Sequence, residues 1–458
     1  MPSSANPYAM GGRAMARLIA ATTFPIVIQN ILDAAVNMAD VVMVNAVSQE
    51  AMSAVSLASQ AGTVIFMFFF GIGTGMTMLG AQYWGRKDTN TIEKVQGIAL
   101  RFTLLLGLFM MALCLLVPEF LIRIYSSDEL LVEKGAVYLR IWSFVILPWG
   151  ISTVYLSSIR STGRVAVCTA VETAALLLNV ALNALFLFVF HMEVAGVALA
   201  TVLSRTAELV ICCILSSKSP DVRIRLHPII EKHPALSRDF TRMCLPAIGN
   251  DLIWGIAFSV YTAVLGHLSS DAVAANAIVG VIRNLGCVLC YGLGSATGIL
   301  LGQLLGAGKR EEAIRFSHVM LRLSVAAGAL GGLLVAASIP IVTPRANLTD
   351  AARDYLRFML TVNIFYIMGT AVNTTLIVGV FRSGGDSRFG FICDTVDMWG
   401  WGVPVTLLAA FVLRLDVKLV YLVMCTDEFV KWPWVFRHYY SMKWAQNITR
   451  DDIDRTDV

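Results

Sequence analysis

Apolar runs of about twenty residues, each long enough to cross a bilayer as a helix, follow one another along this chain. They lie at 18–44, 54–83, 97–117, 137–156, 165–190 and 194–215, then at 246–267, 272–305, 319–342, 358–381, 391–413 and 417–436. A soluble fold cannot absorb such a pattern. Apolar residues make up 57% of the chain and charged ones 14%, against about 25% charged in an ordinary soluble domain. In a bilayer every backbone N–H and C=O must be satisfied within the segment itself. The expected fold is therefore all-α and integral to the membrane, with twelve transmembrane helices. The net charge of +4 is dispersed along the loops, so no nucleic-acid-binding face is expected. The nine cysteines lie almost entirely in apolar runs and form no readable disulfide or zinc framework. The spacing Cys287-x-x-Cys290 reads as close helix packing rather than redox chemistry. The first apolar run is too long for the core of a cleaved signal.

The runs divide six and six. Between the sixth and seventh lies the one long charged link, with Lys218, Arg223, Arg225, Lys232, Arg238 and Arg242. The expected division is an N-lobe at 1–217, a linker at 218–241 and a C-lobe at 242–458. The side holding the termini and this linker collects about 26 of the 35 Lys and Arg, the other side about 8, and Arg283 stays within a span; the bias places both termini in the cytoplasm.

The two halves also repeat. Pro25 and Pro246 stand 221 residues apart, as do Gly85 and Gly306; in that register Gly71-Ile-Gly73 falls on Gly292-Leu-Gly294 and Gln82 on Gln303. Arg160-Ser-Thr-Gly163 matches Arg382-Ser-Gly-Gly385 at an offset of 222, with Glu172 on Asp394. Each unit holds an even number of helices, so both insert the same way up, as in transporters built from parallel repeats. Pro25 lies inside the first helix, where proline permits a bend.

Ionisable groups inside a span are costly and mark functional positions. Asp33 and Asp40 lie seven apart on nearly one face of the first helix. Such a carboxylate can exchange a proton or a monovalent cation. Asn179 and Asn183 share one face of the fifth helix, and Thr201 lies on the sixth. The second half carries Asp251, Arg283, Asp394, Asp397, Asp427, Glu428 and Lys431. Lys431 stands at i+4 and i+3 from the two acids of its own helix, and Asp251, Arg283, Asp394, Asp427, Glu428 and Lys431 together read as a structural salt-bridge network rather than a second coupling site. No nucleotide loop, HExxH or Gly-x-Ser-x-Gly motif occurs, so an enzyme is not expected, nor a resident metal or cofactor.

The blocks that repeat also carry a family resemblance. Pro25 through Asn37-Met-Ala-Asp40 to Ala51-Met-Ser-Ala54 resembles the opening of the MATE (multidrug and toxic compound extrusion) transporters. So do Gly71-x-Gly73…Gln82-x-x-Gly85, its echo Gly292-x-Gly294…Gln303-x-x-Gly306, and Gly379-Val-Phe-Arg382-Ser-Gly-Gly385-Asp386. The resemblance implies two six-helix lobes and an antiporter in the cell membrane, working as a monomer. It would exchange inward H+ or Na+ for amphipathic, often cationic, small compounds. It further implies that Asp40 is the principal coupling acid and that Asn179, Asn183 and Thr201 join it in an N-lobe ion site, with Asp33 a second acid nearby. Several positions depart from the family pattern. Asn183 stands where some members carry a second aspartate, Asn45 where glycine is common, and Trp254 and Ala371 at the C-lobe positions of family acids. The alternative within the same superfamily, a flippase for lipid-linked precursors, needs more buried basic residues. A major-facilitator reading of Gly80–Lys87 fails for want of an acid and on glycine spacing.

Overall fold

The computed structural model describes residues 12–47, 49–126, 128–225, 227–346 and 348–450, without the side chains of residues 37, 38, 40–42, 45–47, 49 and 61. The described regular structure is entirely helical. Among the described residues ten helices are long and apolar enough to cross a membrane, and they carry ten of the twelve apolar runs. The fourth and twelfth runs are helical too, but broken. The fourth consists of Glu129–Trp142, a 3-10 turn at Ser143–Val145, and Ile146–Ser161. The twelfth divides into Val417–Met424, Asp427–Val430 and Trp432–Tyr440. Pro433 sits in the first turn of the last piece, where its missing N–H costs nothing but where an uninterrupted helix could not continue through it.

Short polar residues set where the helices start. Side chains of Asp88, Asp128, Ser269, Thr349, Asp386 and Asp416 each accept from a backbone N–H in the first turn that follows, satisfying donors that a helix leaves open. The turns between helices obey the repeat. Gly163 and Gly385 both adopt left-handed backbone, φ 83° and 81°. Gly308 does so at φ 75°, and its repeat partner Lys87 at φ 62°, a conformation that costs an L-residue more than glycine.

Close packing follows the same register. A Cβ on Gly73 would lie 2.7 Å from Ser157 Oγ, and one on Gly294 would lie 2.8 Å from Thr374 Cγ2. The second helix thus meets the fourth run, and the eighth meets the tenth, through glycine. Wide helical turns of the i→i+5 type interrupt the tenth and eleventh helices at Thr374–Phe381 and Val396–Gly402.

The helices gather into two compact units. One comprises the chain up to Val27 together with Leu245–Ile448; the other comprises Ile28–Cys244 and the residues from Thr449. Both changes of unit occur inside a continuous helix, within three residues of a proline: Pro25 in Gly12–Val47 and Pro246 in Pro234–Leu268. Close to each proline the helix packs on a glycine of the same unit. Gly292 faces Thr23 and Val27 in the first unit. In the other, Cys244 Sγ lies 3.5 Å from the carbonyl oxygen of Gly71, the repeat-related position. The charged linker docks on the third helix of its own unit. Glu93 accepts from the Arg223 N–H and pairs with Arg225 at 3.0 Å, and Arg101 donates to the carbonyls of Ile229 and Glu231.

Burial is inverted relative to a soluble protein. Phe24, Leu105, Leu116, Leu333 and Phe365 are exposed, while Arg382, Asp394, Asp397, Asp427, Glu428 and Lys431 are buried. Large exposed apolar area of this kind needs an apolar partner, and lipid supplies it.

Candidate functional site

Each unit holds a cluster of buried polar side chains inside its membrane-spanning runs. In the unit that begins at Ile28, Asn183 Nδ2 donates to Asn179 Oδ1 at 3.2 Å. Asn179 Nδ2 in turn reaches Thr201 Oγ1 and Ser204 Oγ, each at 3.4 Å. The one-turn spacing on the fifth helix makes the first contact, and small residues on the sixth allow the second. The three polar residues singled out from the sequence therefore do meet, joined by Ser204.

Asp33 lies half-buried on the first helix, within electrostatic reach of Glu172, Arg205 and Arg160. Arg160 pairs with Glu172 at 3.0 Å, and Arg205 with the buried Glu208 at 2.6 Å. Two cations thus serve two acids, and Asp33 enters neither pair. Asp40 lies seven residues further along the same helix, but its side chain is outside the described residues. The pattern of the sequence did not place Arg160, Arg205 and Glu208 here. Their charge inside apolar runs was the available signal.

The second cluster, in the unit containing Leu245–Ile448, is a connected chain of ion pairs. Lys431 Nζ stands 3.1 Å from Asp394, 3.4 Å from Asp397 and 3.5 Å from Glu428. Asp394 also accepts from Asn250 Nδ2 at 2.7 Å, and Arg382 donates to Asn250 Oδ1 at 2.8 Å and to Asp251 at 3.2 Å. Glu428 accepts from Thr370 at 3.0 Å and from Asn373 at 2.5 Å. Four helices therefore gather around one ammonium. Of the two acids on its own helix, Lys431 meets Glu428. Asp427 instead caps the Glu428 N–H at 2.8 Å through Oδ1. Trp254 faces Lys431 with its ring centroid 6.0 Å from the ammonium nitrogen.

Arg283 departs from the expected cluster. Its guanidinium lies over the rings of Phe258 and Tyr366, at 5.2 and 5.8 Å, and pairs with no acid among the described residues. The repeat explains part of this geometry. Arg160 meets Glu172 directly, whereas Arg382 and Asp394, the matching positions, are bridged by Asn250. Sequence alone missed Arg382, Asn250, Thr370 and Asn373 as members, because polar residues near helix ends carry no periodic signal of their own. Cys287 and Cys290 are buried free thiols.

Comparison with known proteins agrees with this architecture. The sequence model of the MatE family matches residues 25–185 and 246–408. A probable multidrug resistance protein NorM of Thermotoga maritima is 21% identical, covering 93% of this chain and 92% of its own. The uncharacterized transporter YisQ of Bacillus subtilis is likewise 21% identical, covering 93% and 94%. Among solved structures, the outward-facing form of a multidrug resistance MATE family transporter superposes with a TM-score of 0.84 at 19% identity, over 93% of this chain and 96% of that one. The eukaryotic MATE transporter AtDTX14 gives 0.80 at 15% identity, over 94% and 97%. At these identities the structural match speaks for the fold.

Proposed function

Because the chain belongs to the MatE family of multidrug efflux transporters, we propose that it is an ion-coupled antiporter of the cytoplasmic membrane. It exchanges inward H+ or Na+ for outward movement of amphipathic, often cationic, compounds. The observation that carries the reading is the N-terminal cluster. The same unit holds Asp33, an acid outside the ion pairs around it, and, on the fifth and sixth helices, a connected set of neutral oxygens and amides at Asn179, Asn183, Thr201 and Ser204. Such a set can receive one proton or one monovalent cation without a compensating buried base. Asp40 is the principal coupling acid, Asn179, Asn183 and Thr201 orient the ion, and Asp33 shares its field. The charged cluster around Lys431 holds the C-terminal helices together rather than moving ions, because its ammonium already fills the place a cation would take. The probable multidrug resistance relatives support small drug-like substrates. The protein works as a monomer, with both termini in the cytoplasm.

The test is dye efflux from vesicles reconstituted with the purified chain, with pH and sodium gradients imposed separately. Efflux driven by one gradient is expected. Efflux indifferent to both would refute the coupling.

A further inference from the structure

The repeat pairs the third helix, Thr89–Leu116, with the ninth, Arg310–Val342. At the offset of 221, Lys94 falls on Arg315, Gly97 on His318, Leu100-Arg101 on Leu321-Arg322 and Gly107 on Gly328. The two arginines Arg101 and Arg322 hold the same place in their halves but differ in their surroundings. Arg101 donates to the main-chain carbonyls of Ile229, at 2.8 Å, and of Glu231. The linker that supplies them crosses the helix at Gly97, where a Cβ would collide with the Pro228 carbonyl. In the other unit that route is closed. His318 takes the place of Gly97 and meets the Tyr439 hydroxyl at 2.8 Å. The chain after the twelfth helix, which holds the linker's position in the repeat, gives its Met442 and Ala445 carbonyls to Arg310. From Thr449 it belongs to the other unit, where Arg450 pairs with Asp239.

Arg322 is therefore exposed and, like Arg315 two turns before it, has no hydrogen bond or ion pair among the described residues. The nearby acids do not serve either arginine. Glu312 pairs with Lys309 at 3.5 Å and Asp386 with His438 at 2.7 Å, and Glu311, one turn before Arg315, forms no ion pair among the described residues. The helices Ser270–Gly306 and Asp350–Asn373, which pack beside the ninth, carry Asp271, Asp350 and Asp354 at the opposite membrane face. Arg322 is the fourth residue of the apolar run 319–342, and its neighbours Leu323 and Val325 are exposed. Its guanidinium thus stands where headgroups meet acyl chains, and a long basic side chain there reaches back toward the interface. Seven residues span about 10 Å of helix, so both arginines can converge on one phosphate, each as a two-pronged donor.

We propose that this face of the ninth helix is a binding site for an anionic phospholipid, whose phosphate oxygens take on Arg322 the place that the linker carbonyls take on Arg101. The lipid anchors the second half of the molecule where the first half is anchored by its own main chain. The site lies outside both buried polar clusters and does not depend on the transport reading.

Native mass spectrometry of the full chain in detergent tests the assignment, with dioleoyl phosphatidylglycerol as the probe and dioleoyl phosphatidylcholine as its zwitterionic counterpart. Phosphatidylglycerol should be retained at concentrations where phosphatidylcholine is not. Arg322→Gln and Arg315→Gln should each weaken phosphatidylglycerol about fivefold, and Arg322→Lys less. Arg315 precedes the apolar run, so its variant keeps the test open should Arg322→Gln fold poorly. Arg357→Gln removes the same charge at the opposite membrane face of the unit and should leave binding unchanged. Equal retention of the two lipids, or equal phosphatidylglycerol binding by the parent, Arg315→Gln and Arg322→Gln, overturns the proposal. So does an equal loss in Arg357→Gln, which would reduce the effect to net charge. Phosphatidylglycerol binding seen only after removal of residues 451–458 also overturns it, since the acidic end of the chain would then be the occupant of this face.

Discussion

Replacing Lys431 with methionine removes one ammonium from three buried carboxylates while nearly preserving side-chain volume. In the parent the ammonium stands 3.1, 3.4 and 3.5 Å from Asp394, Asp397 and Glu428, and the side chains concerned are 1–6% exposed. At an effective dielectric of about 20, each of these pairings gains roughly 5 kcal/mol before desolvation. Much of that is offset by the cost of burying the charges. Removing one partner leaves the offset in place, and such a change typically costs about 3–5 kcal/mol. At about 1.4 kcal/mol per tenfold, the folded population should fall by roughly two to three and a half orders of magnitude relative to the unfolded one. Glu428→Gln should be far milder. Its amide still accepts from Thr370, and Lys431 keeps two carboxylates. The assay is thermal or denaturant unfolding of each variant in the same micelle, with yield of monodisperse protein recorded beside it. Adding Asp397→Asn to Lys431→Met should recover part of the stability, because one of the uncompensated acids is gone. An unchanged midpoint in Lys431→Met would refute the view that this cluster is structural. A variant that folds normally but loses ion coupling would relocate the coupling site here.

Asp40→Asn should abolish gradient-driven dye efflux with normal insertion, measured as efflux per folded protein in vesicles; full coupling would remove Asp40 from its assigned role. Asn183→Asp places a second acid beside Asn179 and should shift the pH or sodium dependence of efflux, whereas Asn183→Ser should not. Gly308→Ala meets no steric obstacle but keeps φ 75°, so a loss of about 1–2 kcal/mol is expected; Lys87→Gly, at φ 62°, should instead gain several tenths of a kcal/mol, both read by unfolding midpoint. Reporters fused in the linker at 218–241 and after Val458 should read cytoplasmic, and reporters beside Asp128 and Thr349 external.

Pattern alone determined the class of this molecule. Runs of spanning length can only be helices in lipid, and the 221-residue echo between Pro25 and Pro246 can only reflect two like halves. Those features depend on length, hydrophobicity and backbone hydrogen bonding, which are local and therefore written in the sequence. The shared face of Asn179 and Asn183 was legible for the same reason, because helical spacing fixes it; that Thr201 joins them was implied by the family resemblance and not by spacing. Other features depended on which helix packs beside which. Nothing in the spacing of Asn250, Arg382 and Asp394 shows that the amide bridges the two charges, since they come from three helices. Lys431 could have met Asp427 or Glu428 by periodicity, and only the break at Cys425–Thr426 and the approach of Thr370 and Asn373 select Glu428. Arg283 looked like one more member of a salt-bridge network. Tertiary packing gave it rings instead of acids, because the face of its helix turns toward Phe258 and Tyr366. Likewise, the change of unit at Val27 and Cys244 is invisible in a continuous apolar run, for a helix carries no local mark of the partner against which each half is buried.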